Sequence, residues 1–128
     1  MAICKGQHLL RHSSTLQVPI SLSSAEAEYY SVTKGGANVL GTQAYLQDWK
    51  LPVEAKILYS DSSSAKAFAS RRGLGKQRHV QTRFLWLQDR VAAGHLQVRT
   101  LKGTENPSDL LTKAMSLAYC GKIGCEFR

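Results

Sequence analysis

SLSSAEAEYY, residues 21–30, is the stretch whose reading decides the fold. Ser23 stands three residues ahead of Glu26, the spacing of a capping box. In that motif the serine hydroxyl takes an orphan amide of a new helix and the glutamate reaches back to the cap. A helix is therefore predicted from about residue 24 to residue 49. Its apolar stripe is Ala25, Tyr29, Val32, Gly36, Val39, Leu46 and Trp49, at three- and four-residue steps broken only at Gln43. On this geometry Glu28 projects from the flank of the buried face, while Glu26 caps and points to solvent. A carboxylate at the margin of a core is costly to desolvate unless a cation or donor meets it, and for Glu28 a divalent metal ion is the expected partner.

With 128 residues the chain is read as one domain, large enough to bury roughly two-thirds of its unfolded surface. A hydrophobic content of 43% argues against disorder. The net charge of +8 points to a polyanionic partner, nucleic acid before membrane, because no basic amphipathic helix is evident. Ordinary solubility charge is the plain alternative. Cys4, Cys120 and Cys125 are an odd number without paired metal-ligand spacing, which favours reduced thiols in a cytoplasmic or nuclear compartment. No apolar leader and no run of membrane-spanning length occurs, so a soluble, intracellular protein with no membrane partner is expected.

Outward from the helix, residues 2 to 22 read as two extended segments turning at His12, Ser13 and Ser14. Val18, Ile20 and Leu22 alternate with polar residues and Pro19, which predicts a half-buried strand at a sheet edge. On the carboxyl side, Gly35 and Gly36 inside the helix are read as permitting close packing on a sheet, and Leu51 and Pro52 end it. KILYS, residues 56–60, is a short apolar run expected to form a central strand covered on both faces, with Asp61 at its carboxyl end. A second helix follows over residues 62 to 71, with Ala65, Phe68 and Ala69 inward. Asp61 as the N-cap of that helix is the plain alternative to a ligand role.

Lys66, Arg71, Arg72, Lys76, Arg78 and Arg83 then form a basic run with no acid between Asp61 and Asp89. Gly73 and Gly75 mark a loop within it. Such a run is either a solvated face or a phosphate-tracking surface, and Arg71, Arg72, Lys76 and Arg78 are the candidate substrate-binding residues. Val80, Phe84, Leu87 and Val91 recur at helical spacing up to Gly94, a C-cap glycine. Leu96, Val98 and Thr100 alternate as a strand. Asn106, Pro107 and Asp109 open a last helix, in which Asp109 is either an N-terminal dipole residue or a ligand.

Glu28, Asp61 and Asp109 thus fall at two helix starts and one strand end of a mixed sheet. Carboxylates brought together repel unless a cation compensates, and hard oxygen ligands suit Mg²⁺. Taken in order, SLSSAEAEYY, LYSDSSSAKAF, RHVQTRFLWLQDRV and ENPSDLLTKAM resemble the ribonuclease H domain of copia-type LTR retrotransposon Pol polyproteins. The resemblance runs to about Met115. It implies an α/β, ribonuclease H-like mixed sheet flanked by helices over residues 1–116, with 117–128 a tail outside it. It also implies hydrolysis of the RNA of RNA–DNA hybrids with two Mg²⁺ during reverse transcription, beside the reverse transcriptase domain of the parent polyprotein.

Glu28, Asp61 and Asp109 are the catalytic and metal-binding acids that the resemblance supplies. Its first catalytic aspartate, on a first and central strand, has no counterpart here, since residues 1–25 contain no acid. The expectation is an N-terminally truncated domain with an incomplete two-metal site and impaired activity as an isolated chain. Ser62 and Gln81 are smaller departures, at positions where copia members carry Asn and Asp. A non-catalytic nucleic-acid-binding or scaffolding remnant of a Pol polyprotein is the alternative function.

Overall fold

Ser23 caps the long helix as its spacing requires: its backbone is extended and its Oγ accepts from Glu26 N at 3.2 Å. The computed structural model describes residues 1–6, 8–17, 19–53, 55–75 and 80–102. In chain order the elements are β1 (Ala2–Lys5), β2 (His8–His12), α1 (Ser24–Asp48), β3 (Ile57–Ser60), α2 (Ser63–Ser70), a 3₁₀ turn (Thr82–Phe84), α3 (Trp86–Ala92) and β4 (Gln97–Thr100). The chain divides into two units, Gln17–Thr100 and the remainder, each taken by itself.

In the larger unit β3 and β4 pair in parallel, with Leu58 opposite Val98 and Tyr59 opposite Arg99. Parallel strands need a long crossover, and α2 with α3 supplies it. Leu58 and Val98 turn to one face and join Tyr29, Tyr30 and Val32 of α1, Ala65, Phe68 and Ala69 of α2, and Val80, Leu87 and Leu96 in a single apolar cluster. The three inward residues predicted for α2 are all buried. Tyr59, on the opposite face, is 56% exposed. The strand is therefore covered on one face among the described residues, not on both. Its apolar run conceals an alternation, because Tyr59 carries a hydroxyl that tolerates water.

Gly35 and Gly36 sit where α1 crosses β3. A Cβ at Gly35 would lie 3.6 Å from Leu58 Cδ2; at Gly36 it would lie 3.0 Å from Leu87 Cδ1 and 3.4 Å from Trp86 Cη2. The pair thus lets the helix close on both β3 and α3, as its composition suggested. Beyond Leu40 the stripe leaves its support. Tyr45 and Trp49 are exposed and stack on each other, centroids 6.0 Å apart. Trp49, expected inward, is 67% exposed. There Lys50 takes a left-handed backbone, φ 57°, and Leu51 N and Lys50 N donate to the carbonyls of Leu46 and Gln47. That is a Schellman closure with lysine where glycine is the usual choice.

The helix predicted over residues 80–94 is interrupted. Gln81 is extended, and the 3₁₀ turn precedes α3. Its end is as expected: Gly94 has φ 74°, and the amides of His95 and Gly94 donate to Arg90 and Val91. Val18 lies outside the described residues, and the described residues of 17–22 form no strand. Ile20 and Leu22 are 88% and 75% exposed, Pro19 has no amide to donate, and among the described residues no strand lies beside them.

In the smaller unit β1 and β2 pair antiparallel with an irregularity between Ile3 and Cys4. The reversal falls at Gly6, whose φ is 58°, and not at residues 12–14. Glycine reaches that conformation without strain, whereas His12, Ser13 and Ser14 would not. Ser13 instead closes the open end of the hairpin by accepting from the Met1 amino group at 2.9 Å.

Candidate functional site

Two carboxylates lie in the first turn of α1, and the structure reverses the burial expected for them, while Glu26 still reaches back to an amide ahead of the helix. Glu26 is 1% exposed; Glu28 is exposed. Glu26 Oε2 accepts from Leu22 N at 2.8 Å, one residue before the cap, and Oε1 accepts from the Tyr30 hydroxyl. Tyr30 sits one turn further along, its ring 4.4 Å from that of Phe84. Burial, together with the hydrogen bond and charge of Glu26, pushes the Tyr30 phenol up to about 12. A buried carboxylate satisfied by an amide and a neutral phenol needs no solvent, which is how Glu26 is accommodated. Its signal in the sequence was the four-residue step to Tyr30, which puts both side chains on one helix face.

Asp61 is exposed at the carboxyl end of β3. The cap of α2 is its neighbour Ser62, whose Oγ accepts from Ala65 N at 3.2 Å. Ser62 N in turn donates to the buried Ser60 at 3.2 Å. The capping explanation for Asp61 is thereby assigned to Ser62. Asp109 lies outside the described residues, and among the described residues no three His, Cys, Asp or Glu side chains form a group able to hold a metal ion. Glu28 and Asp61 are accessible hard-oxygen donors of the kind Mg²⁺ takes; Glu26 already spends both oxygens on protein donors.

The basic run is built on the end of α2. Arg71 and Arg72 are exposed; Lys76 and Arg78 lie outside the described residues. The Arg71 guanidinium stacks 4.3 Å above the Phe68 ring and donates from Nη2 to the Leu74 carbonyl at 3.0 Å. Arg83 stacks similarly, 4.9 Å from the Phe84 centroid. Planar guanidinium groups fixed in this way suit phosphate. Beneath them Tyr29, 0% exposed, donates to the Phe84 carbonyl at 2.7 Å and meets Phe68 edge-on at 4.3 Å, so one side chain of α1 braces both aromatic platforms. Burial, ahead of the opposing effect of Thr33 and the charge of Asp89, pushes the Tyr29 phenol up to about 12. Gln88 is the other residue that sequence reasoning passed over. It is buried against this turn, on the inward side of α3 next to Leu87.

No family model matches the chain, and no solved structure matches it. It is homologous to part of a retrovirus-related Pol polyprotein of a plant transposon, which supports an origin in a retrotransposon Pol polyprotein. That relative is the retrovirus-related Pol polyprotein from transposon TNT 1-94 of Nicotiana tabacum, 31% identical over 103 residues. The match covers 80% of this chain, and the chain spans 8% of the length of that polyprotein. No helix among the described residues is long and apolar enough to cross a membrane.

Proposed function

We propose that this is a retrotransposon-derived ribonuclease H-type domain of the copia class, acting on the RNA of RNA–DNA hybrids beside a reverse transcriptase domain. The observation that carries the reading is Asp61. It stands exposed at the carboxyl end of a strand in a parallel pair, released from capping by Ser62, in a chain homologous to a Pol polyprotein. Ligands of open α/β sheets gather at such strand ends. Glu28, Asp61 and Asp109 are the acids assigned to hold Mg²⁺. When bound, Mg²⁺ supplies the positive charge that activates a water and stabilises the leaving oxygen of a phosphodiester. The protein's own part is to offer accessible carboxylates on rigid element ends and to fix the phosphate backbone with Arg71 and Arg72, joined in sequence by Lys76 and Arg78.

Cleavage of a labelled RNA strand in a hybrid, with and without Mg²⁺, tests this. Because residues 1–25 supply no acid, weak Mg²⁺-dependent cutting is expected; its loss in Asp61→Asn supports the reading, and cutting that survives Asp61→Asn sinks it. Glu28→Gln and Glu26→Gln are compared in the same assay, because the two share the first turn of α1, and Glu26→Gln, at a residue with both oxygens on protein donors, is expected to leave cutting intact where the helix still folds. Loss in Glu26→Gln alone transfers the role to Glu26. The second reading, a non-catalytic nucleic-acid-binding remnant of a Pol polyprotein, is favoured by the stacked arginines. It predicts hybrid binding that ignores both Mg²⁺ and Glu28→Gln.

A further inference from the structure

Gln88 is 3% exposed, yet its side-chain amide packs against the turn that carries the basic run. Its Oε1 accepts from Gly73 N at 2.8 Å, while Nε2 donates to the carbonyls of Gly73 at 3.2 Å and Phe68 at 2.9 Å. One side chain thereby holds both polar backbone atoms of Gly73 and the last turn of α2. A buried amide is costly when unpartnered, so this geometry is strongly preferred over any that moves Gly73 away. Gly73 and Gly75 have φ 79° and 55°, which lets the chain reverse directly after Arg71 and Arg72.

The reversal also confines Arg71. Its guanidinium lies on the Phe68 ring, is tied to the Leu74 carbonyl, and has Gly75 beside it: a Cβ at Gly75 would come 3.0 Å from both Cζ and Nη1. Arg71 is nevertheless exposed. An exposed arginine ordinarily loses rotamer freedom when it grips a ligand, whereas this one has its freedom removed beforehand. A guanidinium carries five donors in a fixed fork, of which Leu74 engages one atom.

We infer that Gln88 is a positioning residue for phosphate recognition: by pinning Gly73 it fixes the turn from Arg71 to Gly75, which presents a preset Arg71 guanidinium to a backbone phosphate of nucleic acid. The inference rests on the nucleic-acid reading above and adds the device that sets its contact.

The test is binding of a fluorescein-labelled RNA–DNA hybrid by the full chain, followed by anisotropy in EDTA between about 50 and 200 mM salt. Arg71→Met is expected to lower the slope of log affinity against log salt by about 0.9, the signature of one phosphate contact. Gln88→Met changes no charge, so a purely structural role leaves the slope alone. Here it is expected to fall with the affinity, which drops about three- to tenfold. Gly75→Ala, outside the apolar cluster, should do the same, because its Cβ meets the guanidinium and φ 55° strains the turn that presents it. In the Arg71→Met background Gln88→Met should add nothing, because it acts through Arg71.

If Gln88→Met and Gly75→Ala both bind as the parent while Arg71→Met is weakened, the inference is overturned and the nucleic-acid reading stands. An undiminished effect of Gln88→Met in the Arg71→Met background overturns it equally. Should Gln88→Met lack a cooperative melt, Gly75→Ala decides, and parental affinity there counts against the device. Absence of salt-dependent binding by the parent removes the nucleic-acid reading itself, and this inference with it.

Discussion

Replacing Gly35, Gly36 and Gly41 of α1 one at a time by alanine asks the same helix the same question in three environments. Alanine gains about 0.8–1 kcal/mol over glycine in a helix interior, and that term is common to all three. At Gly41 a new Cβ meets nothing within 4 Å, so Gly41→Ala is expected to stabilise by about 1 kcal/mol. At Gly35 the Cβ would sit at ordinary contact distance from Leu58, 3.6 Å, so Gly35→Ala should gain at least as much, with a small further contribution from the buried methyl. At Gly36 it would sit 3.0 Å from Leu87 Cδ1, with Trp86 at 3.4 Å and Leu58 at 3.5 Å around it.

Leu87 is 0% exposed and cannot swing out, so relief must come from a shift of α3. Overpacking of this kind costs about 1–3 kcal/mol, which exceeds the helix gain and leaves Gly36→Ala destabilising by up to about 2 kcal/mol. Urea unfolding followed by tryptophan fluorescence measures all three variants. The order Gly35→Ala, Gly41→Ala, Gly36→Ala from most to least stable is the expected outcome. If Gly36→Ala gained as much as Gly41→Ala, the close approach of α1 to α3 would be wrong.

Ser62→Ala should cost about 1 kcal/mol through the lost cap of α2, while Asp61→Asn should leave stability within about 0.5 kcal/mol, so that any effect of Asp61→Asn on activity is chemical. Lys50→Gly should stabilise by about 1 kcal/mol in the same urea assay, because φ 57° strains a side-chain-bearing residue. Tyr29 and Tyr30 should resist ionisation at pH 11 in an absorbance titration, since both phenols are pushed up to about 12. Their folded values exceed the unfolded value near 10, so the unfolded chain releases these protons first. The stability they contribute is full below pH 10 and is lost as pH rises towards about 12. Glu26→Gln should bring Tyr30 only part of the way back, because burial is the larger cause and the glutamate the smaller.

On the proposed reading, the fold divides its labour around α2. Its first residue is preceded by Ser62, which leaves Asp61 accessible, and Arg71, directly after its last turn, lies over Phe68. The apolar cluster beneath, from Tyr29 to Leu87, joins those two ends rigidly through a helix of eight residues. A phosphate gripped at Arg71 would therefore stand at a fixed distance from whatever Asp61 holds. That is what positioning chemistry on a polyanion requires.

By itself the sequence determined the features that depend on near neighbours: the start of α1 at Ser23, the inward face of α2, the inward Leu96 and Val98 at β4, with Thr100 exposed against expectation, and the glycine stop after α3. Caps and periodicities are written within four residues, and each of these was legible for that reason. The assignment of Glu28, Asp61 and Asp109 as metal-holding acids came from the family resemblance and stands as a proposal, with Asp109 outside the described residues. What tertiary structure decided was burial. Glu26 and Glu28 are two residues apart and bear the same side chain. Only the arrival of Phe84 over Tyr30, from fifty-odd positions away, marks which side of the helix is dry. Gln88 and Trp49 follow the same rule: an amide goes inside because Gly73 folds back to meet it, and an indole on the apolar stripe stays 67% exposed. Solvent exclusion is a property of the assembled surfaces, and no stretch of chain carries it alone.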